Sequence, residues 1–277
     1  MPIILRRKAS PLSEFKKIEN GFLDTLGAME DRLDKIVVVG GWCPYLYARY
    51  FWSREIPNIP TTIDIDLGVL ETGPKRFDPT IYNQLKEAGL AVERIYDKEP
   101  EPIEFIYKKK DIELKVEFIT SFETSDDTLN RFLGTPLACN RIEAFEILLE
   151  NPAHISVKHA GRNLKLNIPR PETFLYHKGV TFVMRSEQAK RDKDLFYLYF
   201  ILKFCPDRAE VLEALKPYKK HESFKSFQLN LKRYLSDVSK DGYLMLRPFV
   251  RRWVEEKKIN QEIEEVFGPL LRLADKF

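Results

Sequence analysis

Val37-Val38-Val39-Gly40-Gly41-Trp42, followed further on by Thr61-Thr62-Ile63-Asp64-Ile65-Asp66-Leu67, is the pair of stretches on which the fold turns. The first reads as a buried β-branched strand that runs into a Gly-Gly turn and then into a helix carrying Leu46, Ala48 and Phe51. Glycines let backbone N–H groups come close to an anion, and a helix start adds partial positive charge. Gly40 and Gly41 therefore form a candidate phosphate cradle, with Trp42 beside them to pack or to stack on a base. In the second stretch, alternation sends Asp64 and Asp66 to one face while Ile63, Ile65 and Leu67 enter the core. The two Cα atoms of such a pair lie roughly 7 Å apart, and both carboxylates can then hold one or two Mg²⁺ ions that also bind phosphate oxygens. Taken singly, a Gly-Gly pair is an ordinary turn and Asp-x-Asp an ordinary solvated strand face. Their order in one chain is what points to a site.

Strand, Gly-Gly, helix and then a strand with paired aspartates resembles the nucleotidyltransferase-fold superfamily, that of DNA polymerase β and its relatives, over 36–118. The resemblance implies an α/β (α+β) fold: a mixed sheet with flanking helices, NTP as substrate, and a third carboxylate on a neighbouring strand. Ile112-Glu113-Leu114-Lys115-Val116-Glu117-Phe118 offers that strand, with Glu113, Lys115 and Glu117 on one face. Glu117 is the choice because apolar residues flank it late in the strand; Glu113 is the substitute, and a plain polar strand face is the alternative to both. By the resemblance, Asp64, Asp66 and Glu117 hold two metal ions against the triphosphate. The third carboxylate acts as the general base, or positions it, for an acceptor hydroxyl that attacks the α-phosphate and displaces pyrophosphate. The charges are consistent with this, because carboxylates facing a polyanion repel it unless a cation intervenes. An all-oxygen ligand set favours Mg²⁺, and the four histidines and three cysteines show no metal-ligand spacing.

The chain has 277 residues, of which 44% are hydrophobic and 12% aromatic, enough for a large core and two domains. A formal net charge of +3 tolerates a nucleotide or RNA partner without requiring one. Cys43, Cys139 and Cys205 are few and unpatterned, which suits a reducing compartment, and Cys43 reads as a buried free thiol. No apolar run approaches the ~20 residues a bilayer needs, so the expectation is a cytoplasmic protein with no membrane contact.

Ser13 to Leu33 has helical spacing, Asp78 to Ala88 reads as a helix ending at Gly89, and Ala91 to Tyr96 as a strand. After a turn-rich connection at Asp97 to Pro102, Ile103 to Tyr107 and Ile112 to Ile119 form a hairpin whose tip is Lys108-Lys109-Lys110-Asp111. Phe145 to Leu149, His154 to Val157 and Asn163 to Ile168 read as a β extension of the sheet. Beyond Pro169 the periodicity becomes helical. The expected organisation is a catalytic domain over 1–168 and an all-helical C-terminal domain over 169–277 that closes the active-site cleft.

Within the helical part, Lys178 follows Pro171-Glu172-Thr173-Phe174-Leu175-Tyr176-His177, and Lys190-Arg191-Asp192-Lys193-Asp194 precedes an aromatic-rich helix. This pattern resembles the AbiEii-type nucleotidyltransferases, toxin components of bacterial abortive-infection and toxin–antitoxin systems. The resemblance implies that Lys178 reaches the nucleotide phosphates and that Lys193 and Asp194 form a closing pair. It also implies an antitoxin-like protein partner, while the acceptor stays open between RNA and a small molecule. Two positions depart from that family: Tyr197, where an aspartate is usual, and Trp42, where the cradle usually carries Ser or Thr. Gly-Gly-Trp is similar instead to aminoglycoside and lincosamide antibiotic nucleotidyltransferases, which act on small molecules and predict an acidic acceptor pocket. A catalytically inactive nucleotide- or partner-binding module is the reading from another class. The plain alternatives are a surface lysine at 178, ion pairs on a solvated face at 190–194, and solvated basic faces at Lys216 to His221 and Arg247 to Arg252, which otherwise hint at RNA. His177 is a lesser candidate for the base.

Overall fold

The computed structural model describes residues 11–59, 62–70, 77–94, 103–109, 111–134 and 139–276. Thr61, Lys110 and the Asp97 to Pro102 connection lie outside these. The chain divides into two compact units: Pro2–Leu46 with Pro60–Pro169, and Tyr47–Ile59 with Arg170–Phe277.

In the first unit the strands are β1 (Ile36–Val39), β2 (Asp64–Val69), β3 (Ala91–Arg94), β4 (Ile103–Lys109), β5 (Ile112–Thr120), β6 (Cys139–Arg141), β7 (Ala153–His159) and β8 (Arg162–Ile168). They make one mixed sheet in the order β3-β4-β5-β2-β1-β8-β7, with β6 also paired to β5. β1 lies between antiparallel β2 and parallel β8, and all four of its residues are buried, which explains its β-branched composition. β2 and β5 run parallel. Helix α1 (Pro11–Gly27) covers one face with Ile18, Phe22, Leu23 and Leu26. Its Gly21 permits a close approach, because a Cβ there would lie 2.8 Å from the side chains of Leu114 and Tyr107. One residue of this helix joins edge strand β7 to β4, which lies one strand in from the opposite edge. Asp24 accepts a hydrogen bond from the Tyr107 hydroxyl on β4 at 2.9 Å and lies 2.7 Å from His159 Nε2 on β7.

Several sequence expectations change in this unit. The helix expected over Ser13 to Leu33 ends at Gly27, and Glu30–Lys35 is a separate 3₁₀ turn leading into β1. Phe145 to Leu149 is no strand: Glu146–Leu149 forms a short helix, and Phe145 and Leu149 pack over Gly68 of β2, where a Cβ would meet them at 3.2 and 2.7 Å. A short apolar run without alternation does not distinguish the two structures. Helix Asp126–Phe132 was not anticipated, although Ser125 caps it by accepting from the Thr128 N–H at 3.2 Å. The β7–β8 hairpin turns through Ala160 and Gly161, both at positive φ.

The second unit is helical: α2 (Pro171–Thr181), α3 (Gln188–Phe204), α4 (Arg208–Ala214), α5 (Phe224–Leu235), α6 (Asp241–Val250) and α7 (Ile259–Asp275). α2 and the second half of α3 are buried on every side, which is why their apolar residues show no single stripe. Gly179 of α2 lies against the Phe227 ring of α5, which would be 2.4 Å from a Cβ. Tyr47–Ile59 belongs to this unit. Its π-helical turn Tyr47–Phe51 sets Tyr47 against Phe174, and Trp52 stacks on Phe200 at 6.1 Å. Among the described residues no helix is long and apolar enough to cross a membrane.

Candidate active site

In the first unit, β1 delivers Gly40 next to β2. Strand register pairs Val39 with Asp66, so the chain turns immediately beside that carboxylate. Gly40 has φ +68, a left-handed conformation that glycine adopts without strain, and a Cβ there would lie 1.8 Å from Asp66 Oδ2. Gly40–Trp42 form a single 3₁₀ turn that continues into the short helix Cys43–Leu46, so the glycines stand at a helical start as read from the sequence. Cys43 is buried, its thiol on the Val38 carbonyl oxygen at 3.5 Å.

Asp64 and Asp66 alternate with buried Ile65 and Leu67 and share the half-exposed face of β2. The Asp64 backbone N–H donates to Thr62 Oγ1 at 3.2 Å. Parallel register then places Lys115 beside Asp64 and Glu117 beside Asp66. Registered neighbours on adjacent strands face the same way, so Asp64, Asp66, Lys115 and Glu117 form one polar array. Glu113 is at the start of β5, exposed, with Lys108 Nζ 3.5 Å from its carboxylate. Lys115 of this array and Glu104 of β4, which reaches it, have no role assigned from the sequence. Lys115 Nζ lies 3.0 Å from Glu117 and 2.8 Å from Glu104 of β4. Partial burial by itself would lower the lysine's pKa, but Glu104 and Glu117 outweigh it and hold it above its ordinary value.

The donor set on this face is all oxygen, which suits Mg²⁺, an ion usually held by one or two carboxylates with phosphate oxygens and water completing its shell. Asp64 and Asp66 fit such a site. Among the described residues no group of three or more His, Cys, Asp or Glu is gathered for a metal, and the Glu117 carboxylate is engaged by Lys115.

Trp42 does not face this array. It is 2% exposed, and its ring stacks on Phe22 with centroids 3.9 Å apart, so the packing role is the one it fills.

In the second unit, Lys178 and Asp194 form a buried ion pair, Nζ to Oδ1 3.0 Å, with side chains 5% and 4% exposed. That excludes a surface role for Lys178 and a solvated face at Asp194. The other Asp194 oxygen accepts from Arg185 Nε at 2.9 Å. Arg185 was not singled out from the sequence, since the turn that brings it back to Asp194 is tertiary. Burial alone would push the Asp194 carboxyl up, but Lys178 and Arg185 hold it below its ordinary value. The Lys178 ammonium also lies over the rings of Phe174 and Tyr197, 5.8 and 5.9 Å from their centroids. Lys193 is half-buried, and His177 is buried within α2. The aromatics interleaved with the basic runs are packing residues: Tyr218 stacks on Tyr176 at 4.5 Å, and Phe249 on Phe196 at 4.7 Å.

The sequence family described as Nucleotidyltransferase matches residues 22–219, which takes in Gly40, both aspartates, Glu117, Lys178 and Asp194. The chain belongs to that nucleotidyltransferase family. An antigenic nucleotidyltransferase-like protein from Paracoccidioides brasiliensis is similar in structure, with a TM-score of 0.47 and 16% identity over 80% of this chain and 90% of that one. No curated protein matches the chain.

Proposed function

We propose that the protein is a Mg²⁺-dependent enzyme that moves an NMP from an NTP to an acceptor hydroxyl or phosphate and releases pyrophosphate. The observation that carries this is the strand register that sets Gly40, Asp66 and Glu117 side by side. Mg²⁺ bound by Asp64 and Asp66 would supply charge neutralisation at the phosphates. Gly40 and Gly41 leave room for the backbone to approach the phosphate oxygens. Glu117, beside Asp66, accepts or steers the acceptor proton. By the AbiEii-type resemblance Lys178 is a lysine that contacts nucleotide phosphates, and Asp194 holds its ammonium at 3.0 Å. Most of the acceleration would come from positioning and preorganised charge, with no covalent intermediate on the protein.

The basic runs at Lys216 to His221 and Arg247 to Arg252 make RNA the acceptor to test first, and a toxin role with an antitoxin-like partner follows from the AbiEii-type resemblance. A second reading has its own observation. A cavity of about 440 Å³ in the first unit is lined by Glu123, Glu146 and Glu150 together with Ser121, Thr124, Ser125 and Thr128. Its acidic and hydroxyl groups are the chemistry a cationic small-molecule acceptor of the antibiotic type would require, although its lining includes none of Gly40, Asp64, Asp66 or Glu117. The test is to incubate the protein with Mg²⁺ and each α-³²P-labelled NTP, offering total RNA, total protein and an aminoglycoside in parallel. Label that ribonuclease removes supports RNA, and label on the aminoglycoside supports the second reading. Mg²⁺-dependent NTP binding without any transfer would instead make the protein a binding module.

A further inference from the structure

The carboxylate face contains a positive charge that the proposed reaction does not use. Lys115 stands beside Asp64 in register, 3.0 Å from Glu117 and 2.8 Å from Glu104, with its side chain 38% exposed. Glu117, the third carboxylate, therefore already has a cation in hydrogen-bonding contact. We infer that Lys115 is a resident cation standing in for a second metal ion, so that the chain binds a single divalent cation, at Asp64 and Asp66. This rests on the metal reading of those two aspartates and narrows it.

A second divalent ion held by Glu117 would have to displace the ammonium or sit against it, and like charges at such a distance repel strongly where solvent screening is partial. The lysine is covalently attached, so its charge is present without any ion being recruited from solution. Glu104 anchors it from β4 and keeps it across the mouth of Glu117.

The test is a Mn²⁺ titration of the full-length protein, with the free ion followed by electron paramagnetic resonance. The wild type is expected to take up about one ion per chain, and Lys115→Met about two. Asp64→Asn/Asp66→Asn should take up none. Glu117→Gln should keep the single ion with its affinity changed by less than about threefold, because Glu117 serves the lysine and not the metal. This variant carries the test even if Lys115→Met fails to fold, which circular dichroism will show. Two ions on the wild type would overturn this inference alone. So would a single ion on a folded Lys115→Met, or loss of the ion in Glu117→Gln. No ion on the wild type would overturn the metal reading of Asp64 and Asp66 along with it.

Discussion

Asp66 Oδ2 stands where a side chain on Gly40 would begin, 1.8 Å from the position of a Cβ. Gly40 also has φ +68, so alanine there meets both a strained backbone and a displaced carboxylate. Gly40→Ala is expected to cost ~1–2 kcal/mol of stability and to reduce nucleotidyl transfer by ~10²-fold. Thermal melts and initial rates on the same preparation check this. Loss of stability with unchanged rates would mean that the contact only supports the fold.

Asp194 is the buried anion between Lys178 and Arg185. Removing its charge leaves a buried ammonium without that carboxylate, so Asp194→Asn should destabilise the protein by ~3–5 kcal/mol at neutral pH. Because the folded carboxyl is held below its ordinary value, its stabilising contribution is present above the unfolded value of about 4 and is lost as pH falls through the folded one. Urea unfolding of wild type and Asp194→Asn should therefore begin to converge once the pH falls below about 4. A gap that stays constant with pH would assign the loss to packing.

Trp42 tests whether the cradle uses its indole. The ring is stacked on Phe22 inside the core. Trp42→Phe should lower stability by ~1–3 kcal/mol while the Kd for NTP changes by less than about threefold. A tenfold weaker Kd with an unchanged Tm would bring the indole back to the nucleotide.

Asp24 fastens α1 to β4 and β7 through Tyr107 and His159, with Lys109 3.4 Å away. Burial alone would raise its pKa, but these partners hold it below its ordinary value. The stabilisation is again present at neutral pH and lost below about pH 4. The side chain is 34% exposed, so after solvent screening Asp24→Asn should cost no more than about 1 kcal/mol. Hydrogen exchange at the ends of β4 and β7 should rise in the variant, and unaltered exchange there would show that these strand ends are held by packing alone.

The legible part of the site is the part written in local pattern. The Val-rich β1, the glycine turn and the alternation around Asp64 and Asp66 each follow from a period or a conformational need within a few residues. Which way Trp42 points was not legible, because a helix start facing a core or a cleft has the same sequence. Nor was the partner of Glu117. Lys115 stands two residues away on the same strand face, but its hold on Glu117 depends on Glu104, which arrives from another strand. Phe145 to Leu149 was misread because an apolar run that short serves a strand or a helix equally. Arg185 was missed because only the fold of α2 against α3 returns it to Asp194.

The most direct measurement is transfer from NTP labelled at the α- or the γ-phosphate, with wild type beside Asp64→Ala/Asp66→Ala and acceptors pooled from RNA, protein and small-molecule fractions. α-Label is expected on an acceptor, with γ-label released as pyrophosphate and a loss of at least ~10³-fold in the folded double variant. Transfer of γ-label, or α-label transfer undiminished by losing both aspartates, would contradict this.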